Sequence, residues 1–255
     1  MRRVKGSSPF RLILSGSLKN NQNRFSGVLS MSRHFSFAGM QRSGNHAIIN
    51  WWLNHFGGWH FRNNILGKTH RCRAAQIETF GVGTVLNHCD SWENYDPTTI
   101  KISRASEPLV VILRDPYNWF ASWFNYGIPN PNSKGVPRID TIKWYLKYVE
   151  YAKANVKQVI IYNRWFSSFE YRRGIESRFD MMGSDVGLNN VSEIGNQGSF
   201  DGGGFHGRAQ EMAVLTRFER VMAFPAYRQP LQAYPELADI SRELFDLEPP
   251  VGLHT

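Results

Sequence analysis

The sequence predicts an α/β fold with a mainly parallel sheet, and three observations carry that expectation. Short apolar runs alternate along the chain with stretches of helical periodicity, the order that produces strand–helix–strand units. Leu109–Leu113 is an unbroken apolar run, as in a strand covered on both faces. The chain has 255 residues, 42% hydrophobic and 14% aromatic, which suffices for a sizeable core and excludes global disorder.

Taken in order, Phe35–Met40 is the first apolar run, followed by a polar loop. Ile49, Trp52, Leu53 and Phe56 then recur at i, i+3, i+4 and i+7, which predicts a helix over Asn45–Phe56 with Gly57 and Gly58 as its stop. The apolar run Val82–Leu86 has a polar end, Asn87 to Glu93. After Leu109–Leu113, Asp115 supplies a cap and Pro116 a first-turn proline for a helix reaching about Asn125. Ile142, Tyr145, Val149, Ala152 and Val156 mark a second long helix. Val159–Tyr162 reads as a further strand and Gly207–Ala223 as a further helix. Trp51, Trp52, Phe56, Trp59 and Phe61 are assigned to the core rather than to sugar stacking.

Net charge is +9, and no acidic residue precedes Glu78. Arg2, Arg3, Lys5, Arg11, Lys19 and Arg24 supply six of those charges within a Ser- and Asn-rich stretch without lasting periodicity. Residues 1–33 are therefore expected to be a basic, disordered tail, either a transit-like segment or an extension upstream of Met31, and residues 34–255 the folded domain. The cationic balance suits either a nucleic-acid surface or a small, highly charged anion held by clustered arginines. Cys72 and Cys89 are the only cysteines; they require no disulfide framework and point to a reducing, cytoplasmic setting. No apolar run reaches the roughly 20 residues of a membrane span.

Gly39-Met40-Gln41-Arg42-Ser43-Gly44-Asn45-His46 lies between a predicted strand and a predicted helix. Its glycines have the spacing of a phosphate-binding loop, in which backbone N–H groups and a helix N-terminus face an anion. Asn45 stands in the lysine position and His46 replaces the hydroxyl that would hold Mg²⁺, so metal-dependent nucleotide chemistry is not expected. Further on, Arg114 ends the buried strand and Ser122 follows eight residues later on the next helix. A guanidinium and a hydroxyl so placed can grip one phosphate.

Together these segments resemble the PAPS-dependent sulfotransferase family, in its bacterial form. The resemblance matches Gln41, Arg42, Ser43, Gly44, Asn45, His46 and Ala47 to the loop around the 5′-phosphosulfate, and Arg114 with Ser122 to the 3′-phosphate motif. Lys68-Thr69-His70 is similar to the family's Lys-Thr-His, which implies His70 as the catalytic base. Weaker similarity through Tyr162–Trp165 and Gly198–Gly202 adds Tyr162 and Ser199 as nucleotide contacts. The family implies a P-loop NTPase-like three-layer sandwich with a mainly parallel central sheet, PAPS as co-substrate and no metal. It further implies a small-molecule or glycan acceptor, a carbohydrate hydroxyl being the leading choice, and no nucleic-acid partner.

The sequence departs from the family at two places. Ala47 stands where cytosolic members stack a tryptophan on adenine, leaving Tyr162 or Phe200 for that task. The longer interval between His70 and Arg114 introduces Glu93 as a rival base. Gly198–Gly207 reads either as a segment closing over the nucleotide or as a linker. Sulfuryl transfer needs no Mg²⁺ where arginines and a helix N-terminus offset the charge growing on the leaving group. Arg42 is the expected group for that, and a histidine with a pKa near ~6.5 suits the acceptor proton. The competing expectations are a P-loop kinase or NTPase and a non-catalytic, basic nucleic-acid-binding module. His70 with Cys72 and His88 with Cys89 do not have the spacing of a metal site.

Overall fold

The computed structural model describes residues 33–63, 76–80, 84–89, 108–127, 139–191, 200–201 and 203–253. Strands β1 (His34–Gly39), β2 (Trp59–Asn63), β3 (Gln76–Phe80), β4 (Thr84–Cys89), β5 (Leu109–Leu113) and β6 (Val159–Ile161) form one sheet in the order β3-β2-β4-β1-β5-β6. All neighbours run parallel except β3, which is antiparallel to β2 at one edge. The expected mixed α/β fold with a mainly parallel sheet is therefore observed. Ser32–Thr255 forms one compact unit. The expected tail lies outside the described residues except for Arg33, whose guanidinium donates to the carbonyls of Phe179 and Asp180.

The alternation of side chains along each strand divides the core in two. Phe35 and Phe37 of β1, Val110 and Ile112 of β5 and Ile160 of β6 pack with helices α1 (Asn45–Leu53), α4 (Tyr162–Ser167) and α5 (Phe169–Arg178). Ala38, Leu109, Val111, Leu113, Val159 and Ile161 pack with α2 (Pro116–Gly127), α3 (Ile139–Ala154), α6 (Pro225–Gln232) and α7 (Glu236–Phe245). β5 is buried at every position, as its uninterrupted apolar run requires. Trp51, Trp52 and Phe61 are core residues as well.

Three local expectations need correction. The first helix ends at Leu53 rather than Phe56 because its last turn tightens: His55 and Phe56 donate three residues back, to the carbonyls of Trp52 and Leu53. The polar residues Asn87, His88 and Cys89 continue β4, paired with Ser36, Phe37 and Ala38, and residues 90–93 lie outside the described residues. Val156 is not a core position of the second long helix, which stops at Ala154; it sits in a short 3₁₀ turn and is 70% exposed. Residues 207–223 are not a helix but two 3₁₀ turns, Ala209–Glu211 and Arg217–Arg220, joined by irregular chain. There the carbonyls of Val214 and Leu215 accept from Arg114 and Asn118, tertiary bonds that replace helical ones.

Candidate functional site

β1 lies beside β5 in the sheet, yet the helices that follow these two strands pack on opposite faces, α1 on one and α2 on the other. The carboxyl ends of β1 and β5 therefore diverge at a topological switch point, where open α/β sheets leave a crevice for ligands. Three strand ends converge there: Met40–Gly44 after β1, Arg114 and Asp115 after β5, and Tyr162 and Asn163 after β6. Asp115 ties them together. Its backbone N–H donates to Asn163 Oδ1 at 3.1 Å, and its carboxylate accepts from Asn163 Nδ2 at 2.9 Å and from the Asn118 N–H at 2.8 Å. The last of these caps α2, as its Asp-Pro start foretells.

The first loop has the backbone of an anion cradle. Arg42 (φ 69°) and Gly44 (φ 84°) are both left-handed, flanking Ser43, and Gly44 precedes the first turn of α1. Such alternation turns successive N–H groups inward. Glycine is required at 44 for a second reason: a Cβ there would lie 2.1 Å from Cε2 of Tyr162. Asn45, buried in the position of a phosphate-loop lysine, donates through Nδ2 to the carbonyls of Gly39 (3.2 Å) and Met40 (3.1 Å). It braces the loop internally instead of presenting a cation. From outside, the indoles of Trp119 and Trp123 both donate to the Gln41 carbonyl, at 2.9 and 3.1 Å. Ser43 Oγ is fully buried and has no hydrogen-bond partner among the described residues.

Arg114 is 1% exposed. It donates to the Arg42 carbonyl (3.2 Å), to Ser122 Oγ (3.2 Å) and to the Val214 carbonyl, and its guanidinium lies over the Tyr162 ring at 5.0 Å. None of these partners is a carboxylate. Burial, then the neighbouring Arg217, lowers its pKa to about 10. Arg217, also buried, donates to the same Ser122 Oγ at 3.0 Å. Two guanidinium groups thus converge on one hydroxyl, and the Nε of each has no hydrogen-bond partner among the described residues. Burial also raises the Tyr162 phenol, with Arg114 and Arg217 opposing the shift. Tyr162 is committed on one side to Gly44 and in reach of Arg114 on the other, which makes it a wall of the loop.

The sequence-predicted residues Gln41, Arg42, Ser43, Gly44, Asn45, His46, Arg114, Ser122 and Tyr162 are all carried by this convergence of strand ends. His70, Glu93 and Ser199 lie outside the described residues. The sequence reading missed Arg217, Trp119 and Trp123 as site residues. Arg217 meets Ser122 across 95 residues of chain, and no local spacing announces such a contact. Among the described residues no group of three or more His, Cys, Asp or Glu side chains is placed to hold a metal. No helix among them is long and apolar enough to cross a membrane. Comparison of the chain with protein-family models and with curated proteins finds no match.

Proposed function

We propose that this chain is a PAPS-dependent sulfotransferase with a P-loop NTPase-like three-layer sandwich, acting in the cytoplasm on an acceptor hydroxyl or amine, with a carbohydrate as the leading acceptor class. The observation that carries the reading is the buried Arg114 guanidinium: among the described residues it hydrogen-bonds only to neutral acceptors, shares Ser122 with Arg217, and adjoins a phosphate-type loop. A buried cation without a carboxylate partner is costly, and an anionic phosphate at this place compensates it. Arg114, Ser122 and Arg217 would hold the 3′-phosphate; residues 41–46 would hold the 5′-phosphosulfate against the α1 N-terminus.

In the reaction the acceptor oxygen or nitrogen attacks sulfur in line. The bond from sulfur to the bridging oxygen breaks, and its electron pair passes to the 5′-phosphate of PAP. The acceptor proton goes to His70, or to Glu93 as the rival base. Arg42 and the loop N–H groups offset the charge developing on the leaving phosphate. Asn45 and His46, in place of a phosphate-loop lysine and a Mg²⁺-binding hydroxyl, weigh against the kinase or NTPase alternative.

The test combines binding and turnover. Arg114→Ala should weaken PAP binding by roughly ten- to hundredfold, the loss of a hydrogen bond to a charged group, and should narrow the preference for PAP over 5′-AMP. Transfer of label from PAPS to an acceptor in a glycan, lipid and phenol screen should persist in EDTA. Unchanged PAP affinity in the variant, or Mg²⁺-dependent ATP hydrolysis by the wild type, would overturn the assignment.

A further inference from the structure

Asp201 is the one carboxylate that forms an ion pair with the convergent arginines among the described residues. It accepts from Arg217 Nη2 at 2.5 Å and from Arg220 Nη1 at 3.3 Å, and its side chain is 2% exposed. The adjoining Phe200 ring has the Arg217 guanidinium 4.8 Å from its centroid and that of Arg220 at 5.4 Å. Arg217 is therefore held by two groups, Ser122 Oγ, which it shares with Arg114, and the Asp201 carboxylate, whose charge also acts on Arg114. The unequal treatment of the two cations is informative. Among the described residues Arg114 hydrogen-bonds only to neutral acceptors, whereas Arg217, which shares the same hydroxyl, is bonded directly to a buried carboxylate.

We infer that Asp201 is a displaceable internal anion: its carboxylate neutralises Arg217 while the site is empty, and an incoming phosphate takes over the guanidinium and expels it. This deepens the sulfotransferase proposal and rests on its assignment of Arg114, Ser122 and Arg217 to a phosphate. The argument is electrostatic. A phosphate dianion seated on Ser122 between the two arginines meets a carboxylate bonded to one of them, and like charges in a poorly solvated space repel strongly. Arg220, whose side chain is 55% exposed, can keep the released carboxylate at the surface. The exchange makes the site selective for charge, because only a ligand that satisfies both arginines better than Asp201 satisfies one will hold it.

The sign of one substitution decides the matter. Calorimetric titration of PAP and of inorganic phosphate into wild type and Asp201→Asn should give binding at least about tenfold tighter in the variant, because the competing charge is gone. The melting point of ligand-free Asp201→Asn should fall, and the stabilisation by saturating PAP should exceed that of wild type. Unchanged or weaker binding would mean that Asp201 merely positions Arg217 and would overturn the inference. Should Asp201→Asn not fold, Phe200→Trp in the full chain reports the same event. Its emission should shift to the red when PAP releases the ring from the two arginines, and constant emission at saturation would overturn the inference. The two proposals fail separately. Loss of PAP binding in Arg114→Ala with no gain in Asp201→Asn leaves the nucleotide reading standing without the exchange. A wild type that ignores PAP, while Asp201→Asn gains phosphate affinity, leaves the exchange standing without the nucleotide.

Discussion

Gly44 carries two requirements at one residue: a left-handed backbone and room for the Tyr162 ring. Gly44→Ala should therefore cost more than the ~1–2 kcal/mol of placing a Cβ in the left-handed region, because the tyrosine must also move. Urea denaturation measures it, and a loss under 1 kcal/mol would show that Tyr162 yields freely. Arg114 and Ser122 were legible in the sequence because they lie on one strand end and the helix it feeds, so a fixed spacing records their meeting. Arg217 and Asp201 were not. Their partners are set by how a long irregular segment folds back over the strand ends, and a segment whose carbonyls bond to Arg114 and Asn118 leaves no periodic trace. The use of Tyr162 as a wall was equally hidden, since it depends on a glycine more than a hundred residues away in sequence.

Among the elements, β5 and α2 were predicted within two residues because each has a strong local signature: five apolar residues buried on both faces, then a capping Asp-Pro. The segment 207–223 was misread as helix because apolar residues near helical spacing also serve a loop that packs on a core, as Val214 and Val221 do. α2 has a further task that neither pattern displays. Through Trp119 and Trp123 it fixes the Gln41 carbonyl, and through Ser122 it meets both arginines. One rigid helix thus links the two proposed phosphate positions. Replacing either indole with phenylalanine should cost about 0.5–1.5 kcal/mol for the lost hydrogen bond, beyond any packing loss. The double variant should exceed the sum, because the carbonyl then loses both donors. A double-mutant cycle by chemical denaturation measures this coupling, and strict additivity would show that the two indoles act independently.

At the scale of the whole molecule, the end of α1 is joined to α5 and the chain beyond it through His55. Its Nδ1 lies 2.7 Å from the Met182 carbonyl and must donate to it. Its Nε2 is 3.5 Å from Glu176, which also pairs with Arg173 and accepts from the Ser184 N–H; the ring meets Trp51 edge-on at 4.8 Å. Burial lowers the His55 pKa below its ordinary value near ~6.5, with Met182 and Glu176 pulling the other way. The folded state therefore holds its proton less tightly than the unfolded chain. Stability from this group is complete above pH ~6.5 and declines as pH falls from there toward the folded value. Melting temperature should drop between pH 7 and pH 5.5, and His55→Gln should flatten that dependence. An identical slope in the variant would assign the drop to other groups.

The order of strands in the sheet also governs when the site can exist during synthesis. β1 is made first, yet both of its neighbours, β4 and β5, are made later. Arg114 then has to wait another 100 residues for the Val214 carbonyl that receives it. At a ribosomal pace of roughly 5–20 residues per second, that interval lasts on the order of ten seconds. Throughout it the nascent chain carries a guanidinium whose burial is not yet compensated and a hydrophobic β5 without its final cover. Long-range closure of this kind slows folding and exposes the chain to misassociation. On the proposed reading, a nascent chain gains no nucleotide affinity until Val214 and Arg217 have emerged, and termination before that point leaves the convergence around Arg114 and Ser122 incomplete.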